Sequence, residues 1–466
     1  MSPIPRGVVI RNHIPNLIQS YKFSPEYYCY SEKALETALS QVALYKDWKA
    51  LDPGRRYSID HRYAVLPALA KGDIRRNFPR GLLPSGRDID QGLASGEICL
   101  VETSGTTDDK ITNIWNQRWW DDCERASWKL NNYMSGVATG DHREAILVNA
   151  WNVGFVSDLV DLPLEKRRLS RFLYLNEKTN PTLWSMQLMD RMIEELNTFQ
   201  PAVLEANPSM LARLCRYISS RNRPVFQPGI IVFTYEYPTN FHYRQIQRVF
   251  PVPMASSYGT TETGYVFMQC EMGKFHQNSD FCRVDFQPLL PEHGGPLLGQ
   301  ILVTPFGNPW SYLVRFDTGD LVCLESSGKC ACGRNSGLIL SSIAGRKANL
   351  TLTCSGRLVT LFELDGALSR LNDIDEYKLV QVDTTGYRLH LVSPRGDKSR
   401  LRDEATAVLR ELYGETARVE VIFSDSILPE ISGKYLVSKA LFPIKLDGFL
   451  DSRYAPEKSS TRSERR

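Results

Sequence analysis

The stretch "ETSGTTDDKIT" gathers Thr103, Ser104, Gly105, Thr106 and Thr107 into one flexible turn. Consecutive backbone N–H groups in such a turn can surround an anion, and the hydroxyls add donors without adding charge. A second stretch, "MASSYGTTETG", supplies the aromatic face of Tyr258, on which a base can stack, and a close-approach glycine in Gly259. It also offers the hydroxyls of Thr260 and Thr261 and the carboxylate of Glu262. One carboxylate beside phosphate oxygens suits Mg2+, which takes one or two protein carboxylates and completes its shell with phosphate and water. In "VRFDTGDL", Asp320 on a β-turn is placed either to accept two ribose hydroxyls or to stabilise the turn as an Asx residue. "QCEMGKFH" and "GKCACGR" add Cys270, His276, Cys330 and Cys332. Two Cys/His pairs brought together by adjacent strands give the four N/S ligands of a closed, structural zinc site, with free buried thiols as the alternative. Cys282 and Cys323 are nearby spares, and Cys282 is a possible replacement for one of the four.

These groups need a scaffold to hold them, and a chain of 466 residues that is 42% hydrophobic and 23% charged can build large cores. A formal charge of +3 is close to balanced, so neither a nucleic-acid surface nor an anionic-membrane surface is expected, and small molecules are the favoured partners. The N-terminal stretch "MSPIPRGVVIRNHIPNLIQSYKF" lacks an uninterrupted apolar segment for export, and no run approaches the roughly 18 apolar residues of a membrane span. The expectation is a cytoplasmic protein whose ten cysteines are reduced thiols and metal ligands.

Periodicity places a helix, a short apolar strand and a second helix across "TLWSMQLMDRMIEELNTFQPAVLEANPSMLARLCRYISS", the second helix opening at Pro208 after Asn207. The strand "GIIVFTY" follows, which points to an α/β layer with parallel pairing. From Gly299, "GQILVTPF" and "YLVRFDTGDLVCLE" read as successive strands. After Arg346 the character changes: "EYKLVQV", "YRLHLVS", a helix across Asp403 to Leu412, and "ARVEVIF" form a compact α+β unit, with a linker near Gly345 to Ala348. The end, "YAPEKSSTRSERR", is polar and poor in apolar anchors, and disorder is expected over 446–466.

In this order the motifs resemble those of the adenylate-forming superfamily of acyl-CoA synthetases, adenylation domains and luciferases, and within it the phenylacetate-CoA ligase-like branch. "TSGTT" looks like the family's phosphate loop, "SSYGTTETG" like its adenine and magnesium motif, and "VRFDTGDL" like its ribose motif. "AGRKANLTLTCSGRLVTLFELD" is similar to the hinge and "LPEISGKYLVSKAL" to the segment carrying the catalytic lysine; "LPALAKGDIRRNFPRGLLP" resembles the branch's N-terminal segment. The likeness runs from about Leu66 to Leu441. It implies that Tyr258 stacks on adenine, Thr261 binds phosphate, Glu262 holds Mg2+, and Asp320 with Arg346 holds the ribose. It implies that Lys434 bonds the α-phosphate and acyl oxygens, where a positioned ammonium stabilises charge more in the transition state than in the ground state. The Cys/His pattern is similar to one found in part of the same branch. By the same resemblance the fold is α/β: a large N-terminal domain (1–346) of mixed α/β layers with a β-rich subdomain, plus a small mobile α+β domain (347–445).

The reaction implied is adenylation of a carboxylic acid, an aryl or related acid being favoured, with ATP and Mg2+. Transfer to coenzyme A or to the phosphopantetheine of a carrier protein follows. An amine or another nucleophile is the alternative acceptor. Trp151 and Phe155 of "VNAWNVGF" and Tyr235 and Glu236 of "FTYEYPT" are candidates for the acid pocket, with core packing the competing reading for the aromatics. Three departures stand out: Asp108 and Asp109 precede Lys110 in the phosphate loop, Ala348 occupies the hinge position, and the segment after Asn349 lacks the paired acids seen in many relatives. A carboxylate about 4 Å from a phosphate oxygen costs on the order of 4 kcal/mol at an effective dielectric near 20, so the expectation is weaker ATP binding. A degenerate nucleotide-binding regulator is the competing reading.

Overall fold

Five short strands, Glu144–Leu147, Phe172–Tyr174, Val203–Ala206, Ile230–Phe233 and Met254–Thr260, pair in parallel at the centre of the protein. Parallel neighbours require crossovers, and these run through the helices Met186–Phe199 and Pro208–Arg221 and back to the sheet. Met186–Phe199 buries Leu188, Met192, Ile193 and Leu196, one stripe of a 3.6-residue period, against Leu147, Leu204 and Ile231. Ser185 caps that helix through Leu188 N–H, and Gln200 closes it in the left-handed region. The computed structural model describes residues 20–102, 111–138, 140–430 and 435–454.

The sheet continues in antiparallel pairing through Gly264–Gln269 and Phe275–Gln277. It then takes Ile339–Arg346 before Phe316–Leu324, Leu298–Pro305 and Cys282–Pro288, so the chain order is broken. Twelve strands form this sheet among the described residues. The out-of-order insertion brings the loop after Leu324 beside the loop after Gln269. After Arg346 a short turn, Lys347–Asn349, leads to a separate four-stranded sheet, ordered Arg418–Phe423, Gly386–Val392, Glu376–Gln381, Ser438–Ala440, with helices Leu361–Leu368 and Lys398–Tyr413. The fold class is α/β, with a mixed α/β part and a small α+β unit.

Disorder expected from residue 446 is corrected over 446–454. Leu446 is buried, Leu450 bridges Leu289, and Phe449 meets His293 edge-on, so three apolar anchors tie this stretch to the large sheet. No helix among the described residues is long and apolar enough to cross a membrane.

Candidate active site and metal centre

A cavity of about 290 Å³ lies between the large sheet and the small α+β unit. Its wall on the sheet side carries Tyr258, Gly259, Asp320 and Arg346, and its wall on the other side carries Ala348, Asp365 and Tyr435. Asp320 and Arg346 face each other in the register of adjacent strands. Arg346 Nε donates to Asp320 Oδ1 at 3.1 Å, and the Tyr258 hydroxyl donates to Oδ2 at 2.8 Å. Asp320 is therefore buried and aimed by two neighbours. The β-turn expected there is corrected: Asp320 lies inside the strand Phe316–Leu324, which kinks at Gly319 (φ +77°) where Asp317 Oδ1 accepts the Gly319 N–H.

Gly259 is a close-approach residue, but against its own fold. A Cβ there would meet the Gly264 carbonyl oxygen at 2.3 Å, so the tight pairing of two strands excludes any side chain. Ser257 and Ser342 line the cavity with buried hydroxyls that have no partner among the described residues. Unpaired buried hydroxyls are costly unless a ligand completes them, so this wall suits a polar heterocycle.

Thr261 and Glu262 face a neighbouring crevice with Asn113, Trp119 and Asn308. Glu262 is 8% exposed, and Lys71 Nζ stands 3.8 Å from its Oε1. The crevice suits a cation bridged to an anion: it offers one buried carboxylate, and the unpartnered amide nitrogen of Asn113 is a donor for an oxygen. Sequence reasoning missed Lys71, whose available signal was its place at the start of helix Lys71–Asn77, in the segment already quoted for its resemblance. The loop residues Thr103, Ser104, Gly105, Thr106 and Thr107, with Asp108 and Asp109, lie outside the described residues, as does Lys434. The strands flanking that loop are paired, Glu102 opposite Thr112.

Of the acid-pocket candidates, Tyr235 and Glu236 line the cavity. Phe155 packs at 4.5 Å on Tyr174, and Trp151 is 60% exposed on a short helix.

Cys270, His276, Cys330 and Cys332 converge, their ligand atoms all within 4.8 Å of one another. The Cys270 and Cys330 sulfurs are 3.7 Å apart, and Cys332 Sγ is 3.3 Å from His276 Nε2. A tetrahedron with Zn–S arms of about 2.3 Å and a Zn–N arm of about 2.0 Å has edges of roughly 3.8 and 3.5 Å, so the donors fit zinc. Burial, helped by Arg334, holds His276 down at about 4, leaving a neutral imidazole with a free lone pair. Burial raises the Cys332 thiol, but the Arg334 backbone N–H and the neighbouring sulfurs outweigh it and bring its pKa below the usual value. Cys282 is excluded from the set, since its thiol points at the carbonyls of Asn278 and Val266. Cys323 points at the Leu324 carbonyl.

No protein-family model matches the chain. A structure of 2-hydroxyisobutyryl-CoA ligase in the postadenylation state superposes with a TM-score of 0.67 at 14% identity, covering 91% of both chains. The chain has the fold of an adenylate-forming ligase. The same ligase in an open conformation and in the thioesterification state gives TM-scores of 0.57 and 0.53, at 15% identity and over 92% or more of each chain. Protein CapK of Staphylococcus aureus is 25% identical over 255 residues, and the match spans 52% of this chain and 53% of that protein, about half of each.

The small unit is docked on the helix Asn240–Val249. Asp365 Oδ2 accepts the Asn240 backbone N–H at 2.8 Å and its amide at 2.6 Å, and Oδ1 accepts the Tyr377 hydroxyl at 3.0 Å. Phe241 joins the small unit's core against Tyr377, and Gln245 donates to the Asp375 carbonyl. Burial pushes the Asp365 carboxyl from 3.8 up to about 6 despite these donors. The folded state then holds this proton more tightly than the unfolded state, so its contribution to stability is complete below about pH 4 and is lost as pH rises to about 6. Asp365→Asn is expected to flatten that decline by about 2 kcal/mol, read from urea unfolding at pH 4.5 and 7. Parallel pH profiles in the two proteins would show that Asp365 is ionised throughout.

Proposed function

We propose that the chain is an AMP-forming acid–thiol ligase of the phenylacetate-CoA ligase-like kind. A carboxylate oxygen of the acid attacks the α-phosphorus of ATP, the bond to the bridging oxygen breaks, and pyrophosphate leaves with its electron pair. A thiol, of coenzyme A or of a carrier protein, then attacks the acyl carbon and AMP leaves. The observation that carries this reading is the Tyr258–Asp320–Arg346 group opening onto a cavity shared with Tyr435, the residue directly after Lys434. Asp320 and Arg346 hold the ribose, Tyr258 faces the adenine, and Ser257 and Ser342 offer it donors. Thr261 and Lys71 steer the phosphates. Mg2+ on Glu262 supplies charge compensation to the departing pyrophosphate when bound. Lys434 reaches the α-phosphate as residues 347–445 close over 1–346, turning at Lys347–Asn349.

The ligase structures cited above contain an acyl-AMP, and two of them also contain CoA, which supports ATP and a thiol as substrates. An aryl or related acid remains the favoured substrate and the cytoplasm the favoured compartment. Zinc on the Cys/His cluster is structural.

Pyrophosphate release across aryl, amino and fatty acids tests the reading, with product masses compared with and without coenzyme A. Release with at least one acid and a drop on the order of a hundredfold in Lys434→Ala are expected. Silence with every acid, with nucleotide binding intact, would favour the regulatory reading that Asp108, Asp109 and Ala348 suggest.

A further inference from the structure

The connection between the large sheet and the small unit is anchored on both sides of one residue. Lys347 Nζ is held to Asp317 Oδ2 at 2.6 Å, on the large sheet, next to the pairing of Arg346 with Asp320. Asn349 belongs to the other body: its amide donates to the Ser438 carbonyl at 3.0 Å, and the Ser438 hydroxyl donates to the Asn349 carbonyl at 2.7 Å. The small unit packs on a core of its own that includes Leu364, Leu379, Leu389 and Leu409. It can therefore turn as one body, with the backbone around Ala348 as its pivot.

A pivot does not choose between positions; the contacts away from it do. Those that hold the small unit run to the helices Pro208–Arg221 and Asn240–Val249. Among the described residues, every hydrogen bond between these helices and the small unit is donated from the helix side. Asp365 Oδ2 takes both the backbone N–H and the side-chain amide of Asn240, the first residue of its helix, where the helix's positive end favours a carboxylate. Arg244, one turn on, donates to the carbonyls of Leu371 and Ser369, and Gln245 donates to that of Asp375. Arg216 pairs with Glu376 and is steadied by Gln245 Oε1 at 3.1 Å. Among them Phe241 is 2% exposed, although its helix belongs to the large part, because its ring fills the small unit's core against Tyr377. A rotation about Ala348 has to withdraw that ring and break the whole donor set with it.

Docked in this way, the unit puts Asp365 and Tyr435, the residue after Lys434, on the wall of the nucleotide cavity. An ammonium that stabilises the transition state of adenylation stabilises it in both directions, so leaving it in place exposes acyl-AMP to attack by pyrophosphate. Withdrawing it commits the adenylate to the thiol. Resting on the adenylation reading, we propose that Asp365, Asn240 and Phe241 form a latch that holds the arrangement for the first half-reaction and opens for the second. Asp365 is a positioning residue, acting through the placement of Tyr435 and Lys434. The strength of the latch then divides turnover between the two half-reactions.

Asn240 is exposed at the start of its helix, so Asn240→Asp keeps the packing and sets a second carboxylate against Asp365. Adding Asp365→Asn reverses the polarity of the pair and restores it. Amide hydrogen exchange, which needs no turnover, should quicken on the order of tenfold across 240–249 and 361–377 in the single variant and return toward the parent in the double variant. The rate of thioester formation from preformed acyl-AMP, divided by the rate of ATP–pyrophosphate exchange, should rise on the order of tenfold in the single variant and recover in the double. Unaltered hydrogen exchange in Asn240→Asp, or both half-reactions falling by one factor, would overturn the latch and leave adenylation standing. If no acid releases pyrophosphate, the adenylation reading fails. Hydrogen exchange that quickens and is rescued then still supports a latch on the small unit, and hydrogen exchange that does not respond removes the latch as well.

Discussion

Glu262→Gln is expected to slow pyrophosphate release by on the order of a hundredfold, about 2.7 kcal/mol, while leaving the melting temperature unchanged or slightly raised. The carboxylate is 8% exposed and meets an ammonium, that of Lys71, only at 3.8 Å. A buried charge held at that distance is poorly compensated for folding, so glutamine, with the same shape and no charge, relieves the fold. The same change removes the single carboxylate among the crevice's described lining residues, and with it the means of holding a divalent cation against phosphate oxygens. Opposite signs in rate and stability are the signature of a functional charge. A lower melting temperature with an unaltered rate would make Glu262 a structural partner of Lys71. Raising the Mg2+ concentration should recover part of the lost rate, whereas a purely steric defect would not respond.

The repeating elements were legible because their patterns are local. The apolar stripe of Met186–Phe199 and the Asn207–Pro208 start of the next helix are written in neighbouring residues. The order of strands was not, since Ile339–Arg346 enters the sheet beside Phe275–Gln277, more than sixty residues away in the chain, and nothing local encodes that partner. The insertion nevertheless explains how the Cys/His pairs meet. His276 lies in the strand Phe275–Gln277, which pairs with Ile339–Arg346, and Cys270, Cys330 and Cys332 lie in the loops beside these strands.

Asp320 was found by type but misplaced, because "DTGD" has turn composition whether it makes a turn or a kink inside a strand. The tail was misjudged for the opposite reason: Leu446, Phe449 and Leu450 are three apolar residues in a polar neighbourhood, too few to show a pattern yet enough to dock.

Removing the Cys/His cluster should cost far more stability than activity. The purified protein is expected to carry one zinc per chain, and Cys330→Ser with Cys332→Ser is expected to carry none and to melt on the order of 10 °C lower. The size follows from what the cluster joins. The turn of Cys330 and Cys332 and the loop from Cys270 to His276 belong to strands that are neighbours in space and distant in sequence, so zinc closes a long loop in the unfolded chain. Two ion pairs, Arg334 with Glu271 and Lys274 with Glu325, bridge the same loops at 2.9 and 2.6 Å, and they limit the loss to a local opening of the turn. Protease cleavage should therefore appear first between Ser326 and Asn335, before global unfolding. Adenylation at low temperature should persist, because four protein ligands leave zinc no open position for chemistry. A parent protein free of stoichiometric zinc would reduce the cluster to buried thiols, and the double variant would then melt with the parent.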